Sequence, residues 1–499
     1  MGSKNKKARR PSPRVAKGFR DLTPGTIVAR RRMVETVCGV YERYGFTPLE
    51  TPGIEYVDVL GKFLPEAETP AGGIFAFKYD DNEWVALRYD LTAPLSRYVA
   101  KNQQELGLPF RRYQAGNVWR LEKPEPGRFR EFMQLDIDIV GAASTQADAE
   151  IVCVLAEAME ALGIPRGSYQ VRLNDRKVLN GLLEKAGVPD EKAADVLRTL
   201  DKMDRLGVDG VKQLLGAGRR DTGSDKGEGD FTKGAELSPD QIETLLSFVS
   251  AGGDDRASYL SVVNDLVTGS TVGEEGLAEM TELDAILTER GVGTDQVVFS
   301  PAIVRGLAYY TGPVVEVVLT FPAGEGEERR EFGSVAGGGR YDDLIKRFTG
   351  QKVPATGASI GVDRLLAALQ TLGKVDARAG TCPVLVTQMD KSARGTYQAF
   401  AERLRDAGIP TELYVGGGGV GKQMKYADRR GFSVAVIAGG DELAAGEVSL
   451  KDLRLGKELS QAEDVADRKA WLEKLPGQER FAQEQLVEKV REFLNRYDG

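Results

Sequence analysis

The stretch RFREFMQLDIDIVG, which runs from Arg128 to Gly141, carries the clearest strand pattern in the chain. Apolar and polar side chains alternate along its second half, as in a strand with one face toward a core. The polar face carries Gln134, Asp136 and Asp138. Because buried carboxylates need a cleft or a cationic ligand to offset their desolvation, we expect this face to line a binding site.

A second strand pattern, Arg111 to Arg120, precedes this stretch, and the Pro-rich, charged turn Leu121 to Gly127 connects the two. The arrangement predicts an antiparallel hairpin with a long polar loop. The charged residues near the loop are Arg120, Glu122, Arg128 and Arg130. Arginines with this spacing can form bidentate hydrogen bonds with phosphate oxygens, although surface ion pairing is the simpler interpretation for any one of them alone.

The chain contains no histidine among its 499 residues. This excludes Ser-His-Asp and Cys-His triads, His-ligated zinc sites and imidazole acid–base catalysis. Its 67 basic and 75 acidic residues argue against a uniform basic coat, but not against local phosphate-binding patches. Catalysis would have to rely on arginine, carboxylate, hydroxyl, backbone or bound metal, which suits nucleotidyl transfer.

The composition also indicates in which cellular compartment the protein works. Cys38, Cys153 and Cys382 lie far apart and form no CxxC motif, which indicates a reduced, cytoplasmic environment. No apolar run is long enough to span a bilayer. Residues 1–16 are basic and polar without an apolar segment, so we expect a disordered tail rather than a secretory signal, with weak attraction to RNA as the minor alternative.

The first half of the chain predicts a helix from about Thr26 to Tyr44, a short strand at Leu49 to Pro52 and another at Trp84 to Arg88. A helix should begin near Thr92. From about Asn174 to Val292 the pattern is mostly helical. A Gly/Asp/Lys-rich stretch at 216–234 interrupts it and is predicted to be a mobile loop.

Strand patterns return at Tyr309 to Phe321, Glu331 to Val335 and Ala358 to Ile360, before a helix at about Val362 to Leu372. From Cys382 onward strands and helices alternate, which indicates a separate α/β domain with parallel strand pairs.

Glycine- and arginine-containing segments in this second half could also form a site. In Arg305 to Gly312 an arginine precedes two tyrosines; strand alternation predicts that only one of Tyr309 and Tyr310 faces a given pocket. Gly337 to Asp342 permits close backbone approach but is more often a tight turn. Gly357 to Arg364 places an arginine in the first turn of a helix, where anions bind.

Together these segments resemble the class II aminoacyl-tRNA synthetases, specifically the histidyl-tRNA synthetase family. The hairpin resembles motif 2, Gly357 to Arg364 resembles motif 3, and the first helix with Pro52 resembles motif 1, the dimer element. Arg305 to Gly312 and Gly337 to Asp342 resemble the histidine-specific segments. Leu87 to Thr92 resembles a further family segment, and the likeness covers nearly the whole chain from Lys17.

The resemblance implies an α+β fold: a class II synthetase-type antiparallel sheet core with flanking helices, a helical insertion and a C-terminal α/β domain of the anticodon-binding type. The predicted divisions are a tail at 1–16, a first catalytic part at 17–172, an insertion at 173–296, a second catalytic part at 297–373 and the anticodon-binding domain at 381–499.

The resemblance also implies residue roles, with histidine, ATP and histidine tRNA as substrates of a homodimer. Arg305 and Arg120 would be catalytic. The implied ATP-binding residues are Arg120, Glu122, Arg128 and Arg364. The implied histidine-binding residues are Asp90, Leu91, Thr92, Gln134, Asp138, Tyr309, Tyr310 and Tyr341. The implied tRNA-binding residues are Lys422, Gln423 and Lys425, and Mg²⁺ would arrive bound to ATP rather than in a protein metal site.

Two alternatives stay open at this point. A non-catalytic, synthetase-like regulatory subunit of ATP phosphoribosyltransferase would have a similar core, although such paralogues typically lack the C-terminal domain and ATP-site arginines. Gly416, Gly418 and Gly421 fit a dinucleotide-binding G-x-G-x-x-G pattern, but no second nucleotide-binding half follows.

The sequence departs from the family pattern at Ala308, where the family usually has aspartate.

Overall fold

The structure is a computed structural model. It describes residues 11–60, 73–80, 82–123, 128–220, 231–249, 255–304, 309–323, 330–331, 333–373, 375, 382–455 and 477–496. Internal contacts divide the chain into two compact units, Met1–Asp21 with Arg32–Lys374, and Leu22–Arg31 with Val375–Gly499. The domain boundaries predicted above stay predictions. Within the described residues, no helix is both long and apolar enough to cross a membrane.

The helices are α1 (Pro24–Arg43), α2 (Val57–Leu60), α3 (Thr92–Asn102), α4 (Thr145–Ala161), α5 (Arg176–Lys185), α6 (Asp190–Leu200), α7 (Met203–Leu215), α8 (Pro239–Val249), α9 (Arg256–Val267), α10 (Thr271–Glu289), α11 (Lys346–Thr349), α12 (Val362–Thr371), α13 (Arg394–Asp406), α14 (Val420–Arg430), α15 (Gly440–Ala444) and α16 (Leu486–Asn495).

The strands are β1 (Thr47–Pro48), β2 (Ile54–Tyr56), β3 (Ala76–Lys78), β4 (Trp84–Leu87), β5 (Phe110–Trp119), β6 (Glu131–Val140), β7 (Tyr169–Asp175), β8 (Gly218–Arg220), β9 (Phe231–Lys233), β10 (Val297–Phe299), β11 (Pro313–Leu319), β12 (Pro322–Ala323), β13 (Arg330–Glu331), β14 (Ser334–Arg340), β15 (Ala355–Gly361), β16 (Val384–Val386), β17 (Thr411–Leu413), β18 (Val434–Ile437), β19 (Glu447–Asp452) and β20 (Gln478–Ala482).

The first unit is built on an eight-stranded sheet with the order β1-β5-β6-β15-β14-β11-β7-β10. Its six central strands pair antiparallel, and only the edge pairs β1–β5 and β10–β7 are parallel. A smaller sheet, β2-β4-β3, precedes α3. The predicted antiparallel core with flanking helices is therefore confirmed.

The predicted hairpin is confirmed as β5 and β6, which pair from Phe110 with Val140 to Trp119 with Glu131. Residues 124–127 of its loop lie outside the described residues. The strand expected at Leu49 to Pro52 was misplaced, because β1 covers only Thr47–Pro48. After the Leu49 N–H donates to the Tyr113 carbonyl, the chain leaves the sheet edge.

The predicted helical region between the two parts of the sheet is confirmed by α5 to α10. The interruption at 216–234 contains the antiparallel pair β8 and β9, so its described ends are a hairpin rather than an irregular loop. Residues 221–230, the middle of the predicted mobile loop, lie outside the described residues.

Glycines allow the central strands to approach one another closely around the site. A Cβ at Gly338 would lie 2.1 Å from the Gly357 carbonyl oxygen, and a Cβ at Gly357 would lie 2.1 Å from Asp138 Oδ1. Gly337 to Asp342 is thus mainly strand β14 and not the tight turn that its composition favours. Only glycine leaves space for the Asp138 side chain between β6 and β15.

The second unit contains the predicted α/β alternation. Strand β16 pairs parallel with β17 and β18, as expected, and β19 and β20 extend this sheet antiparallel. Helices α13 and α16 contribute Tyr397, Phe400, Val490 and Phe493 to its apolar core.

Candidate active site

A pocket of about 590 Å³ lies within the first unit. It is bounded by the hairpin β5–β6, the start of α3, strands β11, β14 and β15, and the first turn of α12. Its polar and charged lining residues are Tyr89, Asp90, Thr92, Arg120, Glu122, Arg128, Gln134, Asp136, Tyr309, Tyr310, Glu316, Ser334, Ser359, Asp363 and Arg364. The sequence motifs that resemble motifs 2 and 3 thus converge on one cavity.

Arg120 follows β5 and is held against two aromatic rings in the pocket wall. Its guanidinium carbon lies 4.3 Å from the ring centroid of Tyr89 and 5.2 Å from that of Phe132. Its Nε donates to the Tyr89 carbonyl at 3.3 Å. No described carboxylate forms an ion pair with Arg120, so its positive charge is available to an anionic ligand.

Arg364 lies in the first turn of α12, as predicted, and its Nη1 donates to the Ser334 carbonyl at 2.6 Å. Arg128 and Glu122 are exposed at the pocket mouth, where the hydroxyl of Tyr89 donates to Glu122 Oε1 at 3.4 Å. The four predicted ATP-binding side chains therefore all line this pocket, together with the rings of Phe129 and Phe132.

Strand β6 contributes Gln134 and Asp136 to the pocket wall, and these residues are 8% and 2% exposed. Gln134 Nε2 donates to Ser359 Oγ at 2.7 Å. Gln134 Oε1 and Asp136 Oδ1 are buried and have no hydrogen-bond partner among the described residues. Two such acceptors at the wall of a cavity favour a ligand that carries several N–H donors, such as an ammonium group.

Burial raises the pKa of Asp136 to about 7, while the nearby Arg112 guanidinium opposes this shift and the Asp138 carboxylate adds to it. Burial likewise raises the pKa of Asp138, again opposed by Arg112. A cationic ligand group beside Asp136 would favour its ionised form.

Asp138 and Tyr341 lie behind the pocket wall rather than in it. Both are 2% exposed; Tyr341 donates its hydroxyl to Asp138, whose other oxygen lies 2.8 Å from the Arg112 guanidinium. The predicted contact of these two side chains with a ligand stays a prediction. In this structure the ring of Tyr341 lies beside that of Tyr309, and the two centroids are 5.4 Å apart.

Asp90 and Thr92 line the pocket where α3 begins. Asp90 Oδ1 accepts hydrogen bonds from the N–H groups of Thr92 and Ala93, at 3.1 and 2.9 Å, which fixes the carboxylate at the helix start. Leu91 is fully buried and does not line the pocket. Its carbonyl accepts from Arg112 Nη2 at 3.0 Å, and the contact with histidine implied for Leu91 stays a prediction.

Tyr309 and Tyr310 both line the pocket, with ring centroids 5.0 Å apart. The expectation that only one of them faces a pocket was wrong, because it assumed a strand from Tyr309. Strand β11 begins only at Pro313, so the two tyrosines precede the region in which side chains alternate. Burial raises the pKa of both hydroxyls, which keeps them neutral and able to donate.

Arg305 and Ala308 belong to residues 305–308, which lie outside the described residues. Ile303 before this segment and Tyr309 after it both line the pocket. The catalytic role implied for Arg305 stays a prediction.

Several lining residues were not among the predicted site residues. Asp136 carried a usable signal, because it shares the polar face of β6 with Gln134. Glu316 lies within the apolar strand β11, and Asp363 precedes the expected arginine of α12; neither carried a local signal of its own.

The residues predicted to bind tRNA lie on α14 of the second unit. Lys422 and Lys425 are exposed. Gln423 is 1% exposed, and its amide exchanges hydrogen bonds of 2.9 and 2.6 Å with the backbone of Gln388. The Gln423 amide is thus buried and satisfied within the domain, and the contact with tRNA implied for this residue stays a prediction.

Comparison with known proteins supports the family resemblance seen in the sequence motifs, and it does so over nearly the whole chain. The family described as Histidyl-tRNA synthetase matches residues 18–365, and the family described as Anticodon binding domain matches residues 382–475. The histidine–tRNA ligase of Cereibacter sphaeroides is 50% identical, with 99% of this chain and 100% of that protein covered. The histidine–tRNA ligase of Caulobacter vibrioides is 49% identical, with 97% of each chain covered.

Among solved structures, the histidyl-tRNA synthetase of Nostoc sp. PCC 7120 matches with a TM-score of 0.73 and 29% identity, over 97% of this chain and 100% of that one. The motif order, the antiparallel core and these full-length matches agree, and the chain belongs to the histidyl-tRNA synthetase family.

Proposed function

We propose that this chain is a histidine–tRNA ligase, which activates L-histidine with ATP and transfers it to the 3′ end of its tRNA. The observation that carries the proposal is the polarity of the pocket. Arg120, Arg128 and Arg364 line it together with Gln134 and Asp136, which offer unsatisfied buried acceptors. We assign a triphosphate to the arginines, the triphosphate end, and an amino acid ammonium group to the acceptors, the amino acid end.

At the triphosphate end, Arg120 and Arg364 would bind phosphate oxygens of ATP. The Tyr89 and Phe132 rings restrict the Arg120 guanidinium, and the Ser334 carbonyl restricts that of Arg364. Cations that are held in place before the reaction stabilise the charge that spreads over the phosphate in the transition state. Glu122 would lie near the adenine or its ribose.

At the amino acid end, Gln134, Asp90 and Thr92 would hold the ammonium group of histidine, and Asp136 adds a fourth contact. The neutral hydroxyls of Tyr309 and Tyr310 are suited to a hydrogen bond with the imidazole. Asp138 and Tyr341 would act from the layer behind, through their contacts with Arg112 and Tyr309.

The activation step requires no base from the protein. The histidine carboxylate is already ionised, attacks the α-phosphorus of ATP and forms a new O–P bond as pyrophosphate leaves. Arg305 would contact the substrate carboxylate and the α-phosphate. The absence of histidine from the sequence is compatible with this arginine-based chemistry.

Mg²⁺ would enter as part of the ATP complex. No group of three or more Cys, Asp or Glu side chains that could hold a metal ion occurs within the described ranges of the chain. The phosphate oxygens of ATP can supply ligands of this ion, which usually retains several waters as well. When bound, Mg²⁺ would neutralise charge on the phosphates.

In the second step, the tRNA 3′ hydroxyl attacks the carbonyl carbon of the adenylate and releases AMP, whose phosphate could take the hydroxyl proton. Lys422 and Lys425 on the exposed face of α14 would contact the anticodon region. These lysines would act mainly as positive charges toward phosphate.

The regulatory-subunit alternative is less well supported. The chain combines Arg120 and Arg364 with a segment that matches the anticodon-binding family, and its full-length relatives are named histidine–tRNA ligases. A regulatory role would require neither the arginines nor this domain.

A cytoplasmic homodimer is the assembly we propose. Ile54 and Tyr56 on β2 share one face of the small sheet with Phe77 on β3, because Tyr56 and Phe77 are both in register with Val85. Ile54, Tyr56 and Phe77 are 44%, 41% and 41% exposed, which is typical of a surface that another subunit covers. The three cysteines are free, as in a reducing compartment.

Aminoacylation tests the proposal directly. The purified protein should attach labelled histidine to its tRNA in the presence of ATP and Mg²⁺, and should not attach other amino acids. A folded protein that forms no histidyl-tRNA while supporting ATP phosphoribosyltransferase activity would favour the regulatory alternative. Sedimentation at micromolar concentration should give twice the mass of one 54.2 kDa chain.

A further inference from the structure

The N-terminal segment before α1 contacts the triphosphate end of the pocket through Arg20. The Arg20 guanidinium carbon lies 3.7 Å from the ring centroid of Phe129, and its Nη2 lies 2.5 Å from Asp363 Oδ1. Phe129 and Asp363 both line the pocket, whereas Arg20 does not. Arg20 therefore contacts two pocket-lining residues without lining the pocket itself.

Asp363 connects this arginine to two structural elements of the site. It lies in the first turn of α12, next to Arg364, and its second oxygen accepts the backbone N–H of Met133 on β6 at 2.9 Å. The Asp363 side chain is 9% exposed and that of Arg20 is 35% exposed. The carboxylate thus ties the start of α12 to the hairpin strand, and Arg20 balances its charge.

The backbone of the same segment is attached to the hairpin near its loop. The Gly18 carbonyl accepts from the Arg130 N–H at 2.8 Å, and the Lys17 carbonyl accepts from Arg130 Nη1 at 3.3 Å. Arg130 Nε also donates to the Glu122 carbonyl at 3.1 Å. These bonds hold Arg20 above Phe129, so the position of the guanidinium is determined by the fold and not by the side chain alone.

We propose that Arg20 is a positioning residue for ATP, which fixes the Phe129 ring and the Asp363–Arg364 turn around the nucleotide. The proposal rests on the assignment of this end of the pocket to ATP. It follows that loss of Arg20 weakens ATP binding and leaves histidine binding largely unchanged, because Arg20 contacts Phe129 and Asp363 and has no described contact with Asp90, Gln134 or Asp136.

The test is histidine-dependent pyrophosphate exchange by the full-length protein, with ATP and histidine varied separately. For Arg20→Ala we expect the KM for ATP to rise about tenfold, which corresponds to about 1.4 kcal/mol. The KM for histidine should stay within about twofold of wild type. Arg43→Ala removes an exposed ion pair with Glu157 in the same unit and is the matched control; it should change neither KM.

Two further variants separate positioning from a general loss of structure. Arg20→Lys can keep the ion pair with Asp363 but loses the flat face over Phe129, so it should restore the KM for ATP only in part. In an Asp363→Asn background, Arg20→Ala should raise the KM for ATP less than it does in wild type, because the ion pair between Arg20 and Asp363 is already lost. Arg20→Lys also serves if Arg20→Ala does not fold.

An unchanged KM for ATP in Arg20→Ala, or an equal rise in both KM values, would overturn the proposal. Full recovery in Arg20→Lys would also overturn it, since the Phe129 contact would then be unimportant. If the wild-type protein shows no exchange, the ligase assignment itself fails, and this outcome is distinct from a failure confined to the Arg20 variants.

Discussion

The guanidinium of Arg112 lies 2.8 Å from the carboxylate of Asp138, and the two side chains are 0% and 3% exposed. The same guanidinium donates to the carbonyl of Leu91 at 3.0 Å, next to the pocket residues Asp90 and Thr92. It also opposes the burial that raises the pKa of Asp136. The buried Arg112 guanidinium thus connects the start of α3, at Leu91, with the carboxylate of Asp138 on β6.

Replacement of Arg112 by methionine should destabilise the protein strongly. It leaves Asp136 and Asp138 buried without their counterion, and removal of one partner from a buried pair costs about 3–5 kcal/mol. Denaturant unfolding measures the change. Arg198→Met, which removes an exposed pair with Asp195 on α6, should cost less than about 1 kcal/mol. Equal losses for the two variants would refute the role of Arg112.

Asp136 should make histidine binding depend on pH. Its pKa is raised to about 7, so the carboxylate gains charge as the pH rises through this value, and the KM for histidine should fall between about pH 6 and pH 8. Asp136→Asn removes this titration. Since a hydrogen bond to a charged group contributes about 1.5–3 kcal/mol, its KM at pH 8 should be at least about tenfold higher.

The measurement is the KM for histidine in pyrophosphate exchange at several pH values. The imidazole of the substrate titrates equally with both proteins, so the difference between them isolates Asp136. The same decrease in KM with Asp136→Asn would assign the titration to another group.

Asp90 should have two separable roles. Its carboxylate caps the start of α3, and its negative charge faces the pocket. Asp90→Asn keeps an oxygen acceptor but loses the charge, whereas Asp90→Ala loses both. Both variants should raise the KM for histidine about tenfold and leave that for ATP unchanged. Only Asp90→Ala should lose about 1 kcal/mol of stability, as measured by thermal unfolding. A comparable rise in the KM for ATP would argue against the assignment.

Arg305→Lys keeps a positive charge but loses the planar fork that can hold two oxygens. We expect kcat for adenylation to fall about 100-fold or more, the usual effect of removing one donor that stabilises developing charge. Rapid-quench detection of the adenylate gives this rate. Arg166→Lys, in a surface pair with Glu160, should leave it unchanged. A loss of less than about fivefold in Arg305→Lys would contradict the role.

Lys422 and Lys425 should affect tRNA without affecting activation. Lys425→Glu should raise the KM for tRNA about fivefold or more and reduce the salt dependence of binding, because one phosphate contact is lost. The same variant should leave pyrophosphate exchange unchanged. Arg491→Glu, on α16, where the Arg491 side chain donates to the Ala407 carbonyl, is the control of matched charge. Equal effects of Lys425→Glu and Arg491→Glu on tRNA would indicate general electrostatics.

Local patterns predicted much of the fold and part of the site. The alternation of polar and apolar residues along β6 identified the polar wall of the pocket. The glycine-flanked start of α12 identified Arg364. Both signals are local, because the repeat of a strand or a helix is visible in consecutive residues. The error at Tyr309 and Tyr310 came from a strand boundary: Pro313, not Tyr309, begins β11. Boundaries depend on pairing with distant strands, which local patterns do not contain.

The supporting contacts could not be predicted in this way. Arg112 and Asp138 face each other across the hairpin, and Arg20 and Asp363 are 343 positions apart in sequence. The need for glycine at position 357 is visible only once β6 and β15 are adjacent. Such contacts depend on tertiary packing, which also decides that Gln423 faces Gln388 rather than solvent.

Pyrophosphate exchange shows most directly whether this pocket joins histidine to ATP. Labelled pyrophosphate should enter ATP only when the protein, ATP, Mg²⁺ and histidine are all present, and other amino acids should not replace histidine. If the folded protein shows no exchange, or if exchange proceeds equally without histidine, the pocket does not activate histidine with ATP.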